Sequence, residues 1–479
     1  MSKKAIHTII GPALFLLCSF SLVGVLGSVE AARAIGVAVW MIYWWVTAPV
    51  HLTVTAVLPI ITNAFLNLIP MNNVISQYAN QSIILIVGST MLTTPWKSIG
   101  LDRRIALKCL AVIGPSMKSQ VIVWTVVTTV LSTVLPNIVV VSLLCPIAVA
   151  MIRAAGFDDI EHCEPAQIIL LAIAYAVSVG GMGTPMGGAM NVTSISALQD
   201  YFGIEFMYID WIKRIIPLLI VLTILGIVMV MFIPMKIKRL EGTKEFFREQ
   251  YAALGPIKNT EIFSLSLFII ALVGSLTRTW WADYLPGLVP AYLFVTLGFI
   301  GYFVHFKGKG VLMTWQETQE QIPWAAMILF AAGLALGQML TGTGASTALG
   351  QLLTTFNLDG GFLTMLILVY FCRLVGECTN GTTAAALTCP IIFALCAELN
   401  INPIPYWFVN ILAYNAEYML PLSVRTVNVA YGMQPKLLMK YGWWQCLIQA
   451  LVVTVIGYAC MKFWPGFGDL VNFTWTPAA

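Results

Sequence analysis

The sequence predicts an all-α protein that crosses a membrane many times. The chain has 479 residues, of which 59% are hydrophobic and only 10% are charged, whereas a soluble domain carries about 25% charged residues. Its mean hydropathy is +0.87. Apolar segments recur along the whole chain, and a helix needs about 20 mostly apolar residues to span the hydrocarbon core of a bilayer.

The apolar segments are too many and too unequal in length to be simple spans of one kind. We predict about eleven transmembrane helices plus two re-entrant hairpins, at about 110–152 and 362–398. Stretches near 165–200 and 404–430 contain a polar interruption and are predicted to be discontinuous helices. In chain order the apolar segments lie at about 11–27, 33–48, 52–69, 80–98, 110–131, 139–152, 165–182, 212–235, 261–277, 288–306, 324–340, 362–375, 383–397, 404–422 and 443–463.

Two of these apolar segments are interrupted in the same way. One break is Leu135–Ile138, and the other is Cys378–Thr382. Polar, helix-weakening residues at bilayer depth are tolerated where they are buried in protein or line a cavity. Interruptions in matching positions of two halves are the best sequence indicator of a transporter's binding site. We therefore expect both breaks to contribute to one such site.

Polar groups at the two breaks are the candidate substrate contacts. Pro136 lacks a backbone donor and disfavours helix before it, so free backbone groups should lie beside the Asn137 amide. The second break offers hydroxyls, an amide and a flexible glycine in one turn. Helix N-termini at such a tip suit anions, and unwound carbonyls suit Na⁺. The alternatives are a proline-kinked helix with a satisfied Asn137 and a buried capping motif. The candidates at the second break are Thr379, Asn380, Gly381 and Thr382.

Val179–Gly188 is dense in glycine but does not follow a strand and is not followed by Gly-Lys-Ser/Thr, so it is neither a dinucleotide fingerprint nor a P-loop. In a membrane helix it predicts an unwound segment through which backbone approaches an ion or ligand. A packing face of small residues is the alternative.

Arg425 is an ionisable residue at the predicted depth of the bilayer, where such residues are functional by default. Its guanidinium could bind a carboxylate or sulfate in a bidentate way. The alternative is a buried ion pair with Glu377 or Glu417.

The basic residues cluster in a few loops, and the positive-inside rule places these loops in the cytoplasm. The N-terminus is then cytoplasmic and the C-terminus outside, in the cell (inner) membrane. Residues 1–32 are predicted to be a retained N-terminal helix, 33–235 and 261–479 two repeats of inverted topology, and 236–260 a cytoplasmic linker containing a surface helix. The clusters are Lys3 and Lys4; Arg103, Arg104 and Lys108; Lys236, Lys238, Arg239, Lys244, Arg248 and Lys258; Lys307 and Lys309; and Lys436 and Lys440.

Catalytic sequence patterns are missing: there is no HExxH, GxSxG, paired-carboxylate or Cys/His arrangement. The 10 cysteines show no zinc-ligand spacing and are predicted to serve packing. We therefore expect no enzyme, no organic cofactor and no nucleic-acid partner.

Five segments in this order resemble the divalent anion/sodium symporter (DASS) family of the ion transporter superfamily, over nearly the whole chain. They are Met41–Pro49, Thr55–Ile60, Gly100–Leu107, Gly180–Thr184 and Tyr418–Pro421. The resemblance implies an elevator-type homodimer in membrane lipid that carries di- or tricarboxylates or sulfate, by Na⁺ symport or by anion exchange.

The tips of both predicted hairpins depart from the family's Ser-Asn-Thr triplet. Pro136-Asn137-Ile138 stands at the first tip and Asn380-Gly381-Thr382 at the second. Gly188 and Val424 stand where the family's Thr-Pro-Pro segments begin. By resemblance, the substrate contacts would be Asn137, Gly188, Thr379, Asn380, Gly381, Thr382, Val424 and Arg425.

The resemblance also implies two Na⁺ sites. The first would use Ser132, Pro136, Asn137 and Gly187, and the second Gly376, Thr379, Gly381 and Ser423. A guanidinium about 4 Å from a cation costs several kcal/mol, so we hypothesise that Arg425 replaces the second Na⁺. The alternatives to Na⁺-coupled symport are then a reduced-Na⁺ or Na⁺-independent anion exchanger and a carrier of a non-dicarboxylate anion. A channel and a membrane enzyme are alternatives from other classes.

Overall fold

Helices dominate the computed structural model, which describes residues 3–354, 358–379, 381–420 and 424–476. One antiparallel β-hairpin pairs β1 (His305–Phe306) with β2 (Gly310–Val311), and a 3-10 turn covers Ser76–Ala79. The α-helices are α1 Lys3–Ser21, α2 Val23–Leu26, α3 Val29–Thr47, α4 Leu52–Thr55, α5 Leu58–Leu66, α6 Met71–Ile75, α7 Gln81–Ile99, α8 Leu101–Leu110, α9 Met117–Ser132, α10 Asn137–Ala154, α11 Glu164–Gly180, α12 Ala189–Phe202, α13 Tyr208–Met231, α14 Thr243–Ala252, α15 Asn259–Leu276, α16 Arg278–Trp281, α17 Pro290–Ile300, α18 Trp315–Gln321, α19 Trp324–Gly342, α20 Ala345–Thr354, α21 Phe362–Cys378, α22 Gly381–Glu398, α23 Pro403–Asn415, α24 Arg425–Ala430 and α25 Pro435–Phe463.

Eight helices within the described ranges are long and apolar enough to cross a membrane. They are α1, α3, α10, α13, α15, α19, α22 and α25. Shorter apolar helices include α9, α11 and α17. The prediction of a mostly helical, multi-pass protein is confirmed. The count of about eleven spans stays a prediction.

The same order of elements occurs twice, once in each half of the chain. In the first half, α9 and α10 are joined by a four-residue turn, and α11 is followed by the short helix α12 after an unwound segment. In the second half, α21 is followed by α22, and α23 is followed by α24. Within the described residues, helices end and begin at both predicted breaks. That these breaks form re-entrant hairpins and discontinuous helices stays a prediction.

The two interrupted helices form the centre of the fold. Sixteen consecutive side chains of α11 (165–180) are buried, as is all of α23, which fits helices that are apolar on every face. Asn191 stabilises the interruption between α11 and α12, because its side-chain amide donates to the carbonyls of Gly181 (2.7 Å) and Thr184 (2.8 Å). Asn415 at the end of α23 donates to the Asn191 side chain (3.1 Å), so the two interrupted helices are linked.

The predicted linker at 236–260 contains a helix, α14, as expected from the spacing of its acidic residues. One side of this segment is packed against the first half. Phe247 is fully buried and stacks edge-on against Trp124 of α9, with ring centroids 6.1 Å apart. The Met117 amide donates to the Lys238 carbonyl (2.9 Å), and the Leu240 amide donates to the Pro115 carbonyl (2.7 Å).

A buried ion pair lies at the C-terminal end of the linker. Arg104 of α8 donates to the carboxylate of Glu261 on α15 (2.9 Å). The same guanidinium donates to three consecutive backbone carbonyls at the end of the linker, those of Leu254 (3.2 Å), Gly255 (2.8 Å) and Pro256 (3.3 Å). The linker is therefore fixed between α8 and α15.

Replacing Arg104 by Met should strongly destabilise the protein. The substitution leaves the Glu261 carboxylate buried without its cation, which typically costs about 3–5 kcal/mol, and we expect a clear drop in the melting temperature in detergent. Arg239→Met is the matched control, because the Arg239–Glu241 pair is 65% and 72% exposed and exposed pairs contribute little. Equal melting temperatures for the two variants would contradict this account.

Candidate functional site

A cavity of about 610 Å³ lies where the turn between α9 and α10 meets the first interrupted helix. It is bounded by α7 and by the start of α19. Six residues singled out from the sequence line this cavity: Pro136, Asn137, Gly187, Gly188, Thr382 and Val424. The structure thus brings parts of both predicted tips and both interrupted helices to one place.

Two helix N-termini open into this cavity. Helix α10 starts at Asn137 after Pro136, and α12 starts after Gly188, which is extended (φ −153°, ψ 145°). Within the described residues, the positions before these helices, Pro136 and Gly188, supply no side-chain cap. The first N–H groups of a helix have no partner within the helix and form the positive end of its dipole. The two ends are therefore suited to an anionic group.

Several oxygen atoms lie close together behind the α10 N-terminus, at the first predicted Na⁺ site. Ser132 Oγ contacts the Asn137 side chain and donates to the Val177 carbonyl (3.1 Å). Gly187 approaches so closely that a Cβ added to it would stand 2.5 Å from the Gly181 carbonyl oxygen and 2.9 Å from that of Ser132. Hard cations such as Na⁺ prefer oxygen ligands of this kind. Ser132, Asn137 and Gly187 are thus neighbours, as the resemblance implies.

The second predicted Na⁺ site is described in part. Both Gly376 and Gly381 lie close to the Tyr414 carbonyl. A Cβ added to Gly376 would stand 3.1 Å from its oxygen, and one added to Gly381 would stand 3.3 Å from it. Thr379 at the end of α21 donates through its hydroxyl to the Val375 carbonyl (2.6 Å). Asn380 and Ser423 lie outside the described residues.

Arg425 lies beside the cavity, not in its wall, and is 2% exposed. Its Nη2 is 2.8 Å from Glu417 Oε2, so the buried ion pair considered from the sequence is present, with Glu417 as the partner. The other carboxylate oxygen of Glu417 accepts a hydrogen bond from the Gly381 amide (2.5 Å). Among the described residues, Nε and Nη1 of Arg425 have no hydrogen-bond partner.

Glu377 and Arg373, on α21, do not pair with each other in the way their spacing allows. The Glu377 carboxylate accepts hydrogen bonds from the amides of Tyr418 (2.5 Å) and Met419 (3.0 Å), which lie between α23 and α24. The Arg373 guanidinium contacts Gln449 and lies 5.5 Å from the centre of the Tyr418 ring. Glu377 therefore binds amides in the interruption between α23 and α24, whereas Glu417 binds an amide at the start of α22.

Part of the cavity wall was not predicted from the sequence. Helix α7 contributes hydroxyls and a charged rim through Ser89, Thr90, Thr93, Thr94 and Lys97. These residues repeat at helical spacing on one face, which is the signal that could have revealed them. The contact of Glu417 with the Gly381 amide was not predicted either, because no local pattern indicates it.

Gly187→Ala should impair cation-dependent uptake. The new methyl group would meet two backbone oxygens closer than 3.0 Å, so these oxygens would have to move. A loss of about 1.4 kcal/mol in the free energy of cation binding corresponds to a tenfold weaker affinity. Gly226→Ala is the matched control, because a Cβ there meets nothing within 4 Å. Na⁺ titration of uptake by both variants checks this. Identical titrations would count against a cation beside Gly187.

The sequence model of the citrate transporter family (CitMHS) matches residues 42–413. The chain belongs to this family. Among curated relatives, a sodium-dependent dicarboxylate transporter, SdcS, of Staphylococcus saprophyticus is 26% identical over 475 residues, which cover 95% of this chain and 91% of the relative. SdcS of Staphylococcus aureus is 25% identical over 96% of this chain and 91% of its own length. The resemblance to the DASS family is confirmed.

Two solved transporter structures share the fold. The YdaH transporter of Alcanivorax borkumensis has a TM-score of 0.53 at 14% identity, over 85% of this chain and 89% of its own. MtrF of Neisseria gonorrhoeae has a TM-score of 0.54 at 11% identity, over 81% and 83%. The family and the names of the relatives indicate a multi-pass membrane transporter, in agreement with the prediction that the chain is not an enzyme.

Proposed function

We propose that the protein is a secondary active transporter of small anions, such as di- or tricarboxylates, coupled to Na⁺ symport. The observation that carries this proposal is the cavity into which two uncapped helix N-termini open, next to a cluster of backbone oxygens. The first feature favours an anion and the second a cation. The relatives are named as sodium-dependent dicarboxylate transporters, which agrees with both.

The proposed substrate site combines the cavity wall and the second break. Asn137, Gly188, Thr382 and Val424 would contact the substrate directly, since they line the cavity. Thr379, Asn380, Gly381 and Arg425 complete the proposed site. Na⁺ would bind at Ser132, Pro136, Asn137 and Gly187, and a second Na⁺ at Gly376, Thr379, Gly381 and Ser423.

The proposed mechanism is that of an elevator, in a homodimer embedded in membrane lipid. Each half would contain a re-entrant hairpin and a discontinuous helix, related by inverted topology. The repeated order of α9–α12 and α21–α24 supports this arrangement. The proposed location is the cell (inner) membrane with the N-terminus in the cytoplasm and the C-terminus outside, because the basic loops then lie inside.

The Arg425–Glu417 pair favours a second candidate, in which the transporter uses fewer Na⁺ ions or none and runs as an exchanger. Arg425 lies next to Gly381 through the shared Glu417 carboxylate. A cation at the second site would meet this guanidinium at close range. The positive charge of Arg425 is balanced by Glu417, so the pair together would replace a cation bound to a carboxylate.

Purified protein in proteoliposomes should take up a labelled anion against its gradient when Na⁺ is high outside. Sulfate, succinate, citrate and tartrate form the first panel, with thermal stabilisation as the independent measure of binding. A channel would instead give conductance without saturable counterflow. An uptake rate that does not change with the Na⁺ gradient but increases when anion is present inside the liposomes would favour the exchanger over the symporter.

Arg425→Ala should make transport more dependent on Na⁺ if Arg425 replaces a cation. The substitution leaves the buried Glu417 carboxylate without its partner, and an unpaired buried charge is strongly unfavourable, so a cation would be drawn to it. Arg425→Lys is the matched control, because it retains the charge. The measurement is uptake as a function of Na⁺ concentration. Normal uptake with an unchanged Na⁺ dependence in Arg425→Ala would refute this role.

A further inference from the structure

We infer that a single buried water molecule binds between α9, α11, α13 and α25, where it joins the first half of the chain to the second. This site is separate from the substrate cavity and does not depend on the proposed function. Three observations carry the inference: a cavity of the size of one water molecule, four buried polar side chains around it without hydrogen-bond partners, and the mixture of donors and acceptors among them.

A second cavity, of about 10 Å³, lies among these four helices. Roughly 10–15 Å³ is needed to hold one water molecule, so this cavity has room for one water molecule and for no larger ligand. It shares no lining residue with the 610 Å³ cavity among the described residues. The small cavity is therefore a site of its own.

Four polar side chains from three helices line this small cavity. Thr125 and Thr129 lie one turn apart on the same face of α9, Tyr175 comes from α11, and Gln445 comes from α25. The four residues are only 2–4% exposed. Among the described residues, the three hydroxyls and both polar atoms of the Gln445 amide have no hydrogen-bond partner. Buried polar groups are nearly always hydrogen-bonded to protein or to ordered water, so these groups call for a small polar ligand.

The chemistry of these groups selects water over an ion. Gln445 offers N–H donors and a carbonyl acceptor, and each hydroxyl can donate or accept. A water molecule both donates and accepts, and a buried one makes about three hydrogen bonds. A cation would leave the Gln445 N–H groups unsatisfied, and an anion would leave its carbonyl unsatisfied. The described residues of the wall are all uncharged, and a buried ion without a counter-charge is costly.

The water molecule would connect segments that are far apart in the sequence. Helices α9 and α11 belong to the first half of the chain, and α25 ends the second. Tyr175 also packs edge-on against Tyr418, with ring centroids 5.0 Å apart, and Tyr418 lies in the interruption between α23 and α24. By holding the Tyr175 hydroxyl, the water molecule would fix the ring that supports this interruption.

A cryo-EM map or crystal structure at a resolution that shows ordered waters tests the site directly. We expect one density peak within hydrogen-bond distance of at least three of the four side chains. The peak should be present both in Na⁺ buffer and in buffer in which N-methylglucamine replaces Na⁺. A map that shows other buried waters but no peak here would overturn the inference. A peak that requires Na⁺ would assign a cation and overturn it as well.

Thr129→Val and Thr128→Val form a matched pair of variants. Both hydroxyls are buried and lack a partner among the described residues, but Thr128 does not line the cavity. Replacing an unpaired hydroxyl by a methyl group is neutral or stabilising, so Thr128→Val should leave the melting temperature unchanged or raise it. Thr129→Val should lower the melting temperature by about 2 °C or more, because the bound water molecule loses a partner. Equal shifts for the two variants would refute a water molecule beside Thr129.

A double variant tests whether Thr129 and Gln445 share the same water molecule. Side chains with a common partner are energetically coupled, so Thr129→Val combined with Gln445→Met should lose less melting temperature than the sum of the two single losses. Thr128→Val combined with Gln445→Met is the control and should be additive. Additive losses for Thr129→Val with Gln445→Met would overturn the inference. If Gln445→Met does not fold, the maps of the native protein in the two buffers decide.

Discussion

The need to satisfy backbone amides and carbonyls away from water is the constraint on which this structure depends. Two helices are interrupted in the interior of the fold, and each interruption frees polar groups that lipid cannot satisfy. At the first interruption, between α11 and α12, Asn191 takes two of the freed carbonyls. At the second interruption, between α23 and α24, Glu377 accepts from two freed amides, and Glu417 accepts from the amide at the start of α22.

The two breaks are therefore chemically different, although the same elements surround them. The first is built from neutral groups around Asn137 and Gly187 and leaves two helix ends open. The second contains acidic side chains and Arg425, whose charge is balanced within the protein. Within the described residues, neutral groups therefore surround the start of α10, whereas acidic side chains and Arg425 lie near the start of α22.

Local features of the sequence predicted the helices and their breaks well, because their causes are local. Pro136 ends one helix by its ring and its missing N–H, and the glycines of Val179–Gly188 allow an unwound segment. The partners of Arg425 and Arg104 depend on the packing of the chain. Glu417 was one of two candidates until the structure placed it, and Glu261 lies 157 positions from Arg104. The hydroxyls of α7 do repeat at helical spacing, but only the packing shows that this face lines the cavity.

The contact between Arg104 and the end of the linker has a consequence for how the two halves belong together. Gly255 and Pro256 are exposed, so a protease could reach this turn. The guanidinium nevertheless holds three successive carbonyls there and the carboxylate of Glu261 on the far side. The peptide bond is thus only one of several connections between the residues on either side of this turn. A molecule nicked in the turn would remain a single particle, held by ionic and hydrogen bonds in place of the covalent chain.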